Sequence, residues 1–340
     1  MRALRTIAAG LCLLAATVLA PASPAAAVNP GAPGLIAFIR GGNLFVAEPS
    51  GAVWQATTGG GYLWPRWQPG TGGGLAVLRH GDLYYGHYSA TTHTFTADQR
   101  ITTTGHVGAG AWSPDGTKLA YAYGLSVYAP TIHIADFAAP GAAATRAVVS
   151  RVETRLSAAA RRLAQGLPAK QPRAAAAATG WDVLHDSLAI AWSPNGRWIA
   201  YPNGECWAIF DDCLSVLEVG TGEEWWVAAF GGGGATLDGF ATVPAFTADS
   251  SRVLWTQQTR PRFEPDPQVG PLQVMSAPAT GTGPATQVGV NWEHSAVPSP
   301  AGDGRVLVTA GRNGKAWVTL RNGATRTFLH QGYEHDWQGV

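Results

Sequence analysis

Histidines, carboxylates and aromatic rings recur together at six places in this chain of 340 residues. The groups are Tyr62 with Trp64; His106; Trp181, Asp182, His185 and Asp186; Asp238 with Phe240; Trp292, Glu293 and His294; and Tyr333, Glu334, His335 and Asp336. Four of the nine histidines fall in these groups. An imidazole beside a carboxylate can take or give a proton near neutral pH, which makes His294, His335, Glu293 and Glu334 acid–base candidates. Rings that stack on a ligand's apolar face, with imidazoles and carboxylates on its polar edge, would make a binding site of His106, Trp181, Asp182, His185, Trp292, His294, Tyr333 and His335. The same donors suit a divalent metal such as zinc, iron or manganese, although no His-Glu-x-x-His spacing is present. A third reading is that these residues pack between structural units and bond loop backbone. The sequence leaves all three open, and the metal unassigned.

Each group precedes a recurring unit. Trp112-Ser-Pro-Asp-Gly116 is followed by Lys118-Leu-Ala-Tyr121, and Trp192-Ser-Pro-Asn-Gly196 by Arg197-Trp-Ile-Ala-Tyr201. Weaker copies begin at Trp67, Phe246 and Pro298, and a truncated one at Trp337. Pro fixes φ, Asp or Asn bonds its own backbone, and Gly takes the left-handed position, so the motif is a tight turn between two strands. Asp115 and Asn195 are therefore read as turn residues. Period-two stretches such as Asn43–Ala47 and Thr131–Ala135 supply a third strand, and Ala52–Ala56 and Ala324–Phe328 a fourth. Four short strands per repeat unit is the pattern of a propeller blade.

Residues 35–58 hold only three strands, and the segment around Asp336-Trp337-Gln338 supplies the missing one. Joining the ends removes exposed sheet edges. The expected fold is all-β: a six-bladed propeller of four-stranded antiparallel blades, the last strand closing onto the first blade. The Trp-Ser-Pro-Asp-Gly motif with its following basic-Leu-Ala-Tyr resembles the WD40-like repeat of TolB-type six-bladed β-propellers. The resemblance implies an exported propeller that serves as a binding platform. It covers residues 35–340, so TolB's additional α/β domain has no counterpart in the expected layout. There is no Gly-x-Ser-x-Gly, which argues against the hydrolase domain that accompanies some similar propellers.

Arg2 and Arg5, the apolar run from Ile7 to Ala20 and the small residues Ala25–Ala27 read as a signal peptide over 1–27, with 28–34 a short leader. Export makes a disulfide between Cys206 and Cys213 the expected state of that pair. Arg146–Val149 reads as the closing strand of the third blade. An insertion follows at about 152–186, with a short helix over Glu153–Gly166 and a net charge of +6 between Arg146 and Arg173. Arg155, Arg161 and Arg162 on it are candidates for docking an acidic or protein partner. The formal net charge of +1 argues against a nucleic-acid binder, and no later run is long enough to span a membrane. The expected protein is a secreted monomer without a resident cofactor, although a divalent metal at the histidine cluster stays open. Its expected role is to bind a protein or cell-envelope component. The alternative is a carbohydrate-binding protein or a carbohydrate-active lyase or hydrolase, with its site at the channel mouth.

Overall fold

The computed structural model describes residues 32–340 except 50, 125–129, 138–150, 157–183, 185–186, 204–211, 232–235 and 262–267, and describes 151–156 by backbone only. Its strands form six four-stranded antiparallel sheets. Blade 1 contains β1 (Pro33–Arg40), β2 (Asn43–Ala47) and β3 (Val53–Gln55). Blade 2 contains β4 (Tyr62–Trp67), β5 (Gly74–Arg79), β6 (Asp82–Ser89) and β7 (Thr94–Arg100). Blade 3 contains β8 (Ala111–Trp112), β9 (Lys118–Tyr123), β10 (Thr131–Asp136) and β11 (Arg151–Leu156). Blade 4 contains β12 (Ala191–Trp192), β13 (Trp198–Asn203), β14 (Asp212–Glu218) and β15 (Glu224–Phe230). Blade 5 contains β16 (Leu237–Phe246), β17 (Arg252–Pro261), β18 (Gln273–Pro278) and β19 (Thr286–Val288). Blade 6 contains β20 (Glu293–Pro298), β21 (Val306–Arg312), β22 (Lys315–Asn322) and β23 (Thr325–Gln331). The last strand, β24 (Tyr333–Gly339), pairs with β1 and becomes the innermost strand of blade 1, as the sequence predicts.

Hydrophobic burial explains why the sheets radiate. Among the described residues the core divides into six clusters, each centred on two neighbouring blades. Ile39, Leu44 and Val46 of blade 1 meet Trp67, Leu75 and Val77 of blade 2. The ring closes where Leu307 and Val318 of blade 6 meet Ile36, Phe38 and Trp337 of blade 1. Both faces of each blade are therefore covered, and the repeated aromatics lie in these interfaces.

The turn motif is structural, as expected. Ser113 Oγ donates to Asp115 Oδ1 (2.6 Å) and accepts the Lys118 N–H (2.9 Å). Ser193 Oγ does the same with Asn195 (2.7 Å) and Trp198 (2.8 Å). The glycines that follow, Gly116 and Gly196, have φ of 67° and 72°.

Two expectations about blade 3 need correction. Its closing strand is Arg151–Leu156, not Arg146–Val149, and Ala135 faces Val152 while Ile132 faces Arg155. Residues 153–156 therefore belong to the sheet and not to a helix. Alternating Val152 and Thr154 suit a strand, and the open edge of β10 outweighs the local helix propensity of this stretch. The rest of the predicted helix, with Arg161 and Arg162, lies outside the described residues. Among the described residues, no helix is long and apolar enough to cross a membrane.

Candidate functional site

Two places merit the name of a site: the face carrying the inter-blade loops, and the central channel. The inner strands β8 and β12 enter from that loop face and leave through their Ser-Pro-x-Gly turns.

On the loop face, the β19–β20 connection presents Val290 and Trp292, 43% and 59% exposed. The loop is built from below. Glu293 at the start of β20 is fully buried, and Arg321 Nη1 donates to both its carboxylate oxygens at 2.9 Å. Arg326 adds a longer contact at 3.4 Å. The same carboxylate accepts the Val290 N–H at 3.1 Å. Gly289 has φ of 86°, and a Cβ there would lie 2.2 Å from Glu293 Oε2, so only glycine fits. Trp292 has φ of 70°, uncommon for a bulky residue, and its N–H donates to Leu272 O at 2.7 Å. The exposed indole is thus held on a pinned backbone. Beside it Gln273, Gln287 and Asn291 join their side-chain amides at 3.0–3.2 Å. On the same face Leu237, the first residue of β16, is 43% exposed.

The channel is lined by all six inner strands and has an empty volume of about 780 Å³, its open end included. The lining runs to Pro194, Ala248 and Ser299, which places its reach toward the turn face. One residue before each repeated aromatic (or Pro298), equivalent positions contribute Arg66, Ala111, Ala191, Ala245, Val297 and Asp336 to the lining. Four of these are small or apolar; the charged pair sits on adjacent blades. The inner strands bulge just ahead of this ring, at Leu63/Arg66, Thr242/Ala245, His294/Val297 and between the paired residues Ala37/Ile39 on β1 opposite β24. The bulges hold Trp64, Val243, Ser295 and Glu334 at φ of 48° to 55°.

His335 is 1% exposed and lines the cavity, its Nδ1 3.4 Å from Thr309 Oγ1. Burial pushes its pKa down to about 3, and that of the half-buried His294 down to about 4, so both imidazoles are neutral at pH 7. His294 Nδ1 lies 2.9 Å from Ser295 Oγ. Burial pushes Glu334 up to about 7, while its Oε2 accepts the Trp64 N–H at 3.1 Å. Tyr333 is half-buried against the cluster between blades 1 and 2. His106 is exposed and takes no part in the channel lining. Trp181, Asp182 and His185 lie outside the described residues. So does Cys206; Cys213 is buried on β14, opposite Asn203. Glu293 is corrected from an acid–base candidate to a buried anchor, because successive strand residues face opposite ways and its carboxylate is committed to Arg321. Among the described residues, no group of three or more His, Cys, Asp or Glu could hold a metal ion.

Sequence reading missed Arg66. Its Nη1 donates to Pro65 O at 2.9 Å and approaches His335 O at 3.5 Å, and its guanidinium lies 5.5 Å from the Trp64 ring centroid. Burial lowers its pKa, opposed by the fields of Asp336 and Glu334. The signal was available: a lone basic residue at a ring position that is Ala in three repeats.

No protein-family model matches this chain, and no curated protein matches it. Solved structures do. TolB from Acinetobacter baumannii superposes with a TM-score of 0.58 at 15% identity, covering 90% of this chain and 67% of that one. A protein assigned as TolB from Agrobacterium tumefaciens gives 0.50 at 16% identity, over 89% and 92%. A chain of a nidogen/laminin complex gives 0.51 at 10% identity, over 90% and 96%. The chain thus has the six-bladed propeller fold that these proteins share.

Proposed function

We propose that this chain is an exported propeller that binds a protein or cell-envelope partner through its loop face. The observation that carries this reading is Trp292, a solvent-facing indole on a loop fixed by the Glu293–Arg321 ion pair. Exposed, pre-organised tryptophans make binding hot spots, because little conformational entropy remains to be lost. Neighbouring Val290 extends the apolar surface, and the amide cluster supplies hydrogen bonds at its edge. The basic-apolar-small pattern of residues 1–27 supports export, and an exported location supports a Cys206–Cys213 disulfide. A similar propeller chain occurs in a complex of nidogen and laminin, which fits a role as a scaffold for protein contacts.

One observation favours a second reading. An exposed ring beside three linked amides also suits the apolar face and hydroxyl edge of a sugar. Binding of the purified chain to separated envelope protein, peptidoglycan and soluble glycan fractions distinguishes the two. Trp292→Gly is expected to weaken capture by about 30-fold or more, equivalent to a hot-spot loss of about 2 kcal/mol. Thr282→Ala, on an exposed turn of the opposite face, is expected to leave it unchanged. Retention of full binding by Trp292→Gly in every fraction would refute the assignment.

A further inference from the structure

The central channel has a composition that the loop-face reading does not use. Its ring of equivalent positions pairs one guanidinium, Arg66, with one carboxylate, Asp336, and leaves the remaining four positions small or apolar. Blade order sets Ala245 across the channel from Arg66, with Ala111 and Ala191 between them. Trp64, Trp67, Trp112, Trp192, Trp337 and Phe246, mostly packed between blades, also border it.

The two charges are held in place but not by each other. Asp336 Oδ2 accepts the Trp67 N–H at 2.7 Å, which fixes the carboxylate at the base of blade 2. Arg66 spends one nitrogen, Nη1, on backbone carbonyls, and makes no ion pair among the described residues. The Arg66 side chain itself borders the cavity. A guanidinium taken out of bulk water without a carboxylate against it is costly unless an acceptor arrives. A bare anion would meet Asp336 as well as Arg66. A ligand carrying both signs meets neither penalty.

We propose that the channel binds a zwitterionic α-amino acid with an apolar or aromatic side chain. The α-carboxylate takes the open donors of Arg66, the α-ammonium faces Asp336, and the side chain lies toward Ala111, Ala191 and Ala245. The charged and titratable groups facing this position are Arg66 on β4, Glu334, His335 and Asp336 on β24, and His294 on β20; the cavity-lining residues of β8, β12 and β16 carry no charge. The two histidines are neutral, so the site's charge at pH 7 comes from Arg66, Asp336 and a partly ionised Glu334.

Calorimetric titration of the purified chain with L-phenylalanine and L-leucine tests this. Saturable binding of at least one is expected, weakened about 10- to 100-fold by N-acetylation or by amidation of the ligand, since each removes a charge-assisted contact. Binding is expected to weaken from about pH 8 to about pH 5, as Asp336, pushed up to about 6 by burial, loses its charge. Ala245→Phe fills the space across from Arg66 without touching either charge, and is expected to abolish binding while leaving the melting temperature within a few degrees. Arg66→Met is the direct test, and Ala245→Phe stands in for it should that variant fold poorly. Equal binding of the N-acetylated ligand, or binding that strengthens toward pH 5, would show a plain carboxylate site and overturn the proposal. So would failure of both amino acids to bind at millimolar concentration.

Discussion

Replacing Arg321 with Met leaves Glu293 buried with half of its partners. In the native chain Arg321 Nη1 lies 2.9 Å from both carboxylate oxygens, with side chains 8% and 0% exposed. Its Nη2 also donates to Gly323 O at 2.9 Å. Breaking a buried ion pair from one side costs about 3–5 kcal/mol, because the remaining charge has lost its water and its partner. Arg326 at 3.4 Å and the Val290 N–H at 3.1 Å still face the carboxylate, which places the expected loss near the lower end, about 3 kcal/mol. That corresponds to a fall in melting temperature of about 5–10 °C. Removing both charges in Glu293→Met/Arg321→Met is expected to recover part of the loss, since no unpaired ion remains. Urea and thermal unfolding supply the energies, and hydrogen exchange at Val290 reports whether the Trp292 loop has loosened. A loss below about 1 kcal/mol for Arg321→Met, or a double variant no more stable than the single, would refute the claim that this pair builds the loop.

Three further outcomes follow from the same geometry. Ser193→Ala leaves the buried Trp198 N–H without its acceptor and should cost about 1–3 kcal/mol in unfolding free energy. Trp292→Gly relieves a bulky residue at φ of 70° and gives up little burial, so its stability should equal or exceed wild type by up to about 1 kcal/mol while binding falls. The third concerns pH. His294 and His335 have folded pKa values below 6.5, so as pH falls the unfolded chain takes up protons first. Their contribution to stability is whole above about pH 6.5 and declines toward about pH 4, and His294→Asn/His335→Asn should flatten that part of the melting curve.

The blades were legible because each carries its own local signals. The Trp-Ser-Pro-Asp/Asn-Gly turn fixes where two strands meet, and period-two stretches such as Thr131–Ala135 mark a half-buried strand. Even the closure by β24 follows from counting three strands at one end and one at the other. Blade 3's outer strand was not legible. Residues 151–156 read locally as the start of a helix, and only the bare edge of β10 decides otherwise; that edge is tertiary information.

The site was legible in part, and the reason for the remainder is geometrical. Sequence reading located Trp292, His294, Glu334 and His335 at one blade position but could not say which way each points. Adjacent strand residues normally face opposite ways, which separates Glu293 from His294. The inner strands then break that alternation with a bulge, held open by non-glycine residues in the left-handed region at Trp64, Val243, Ser295 and Glu334. Valine there is sterically disfavoured, and backbone strain of this kind costs about 1–3 kcal/mol per residue. A feature so disfavoured, repeated in four of six inner strands, needs a compensating role. Just after each bulge comes the ring position, and through it Arg66 and Asp336 reach the channel lining. A strict period-two reading without the bulge would misplace both. The strain thus coincides with the part of the molecule where side chains are re-aimed from the inter-blade core into the open centre, and that is where a small ligand would be held.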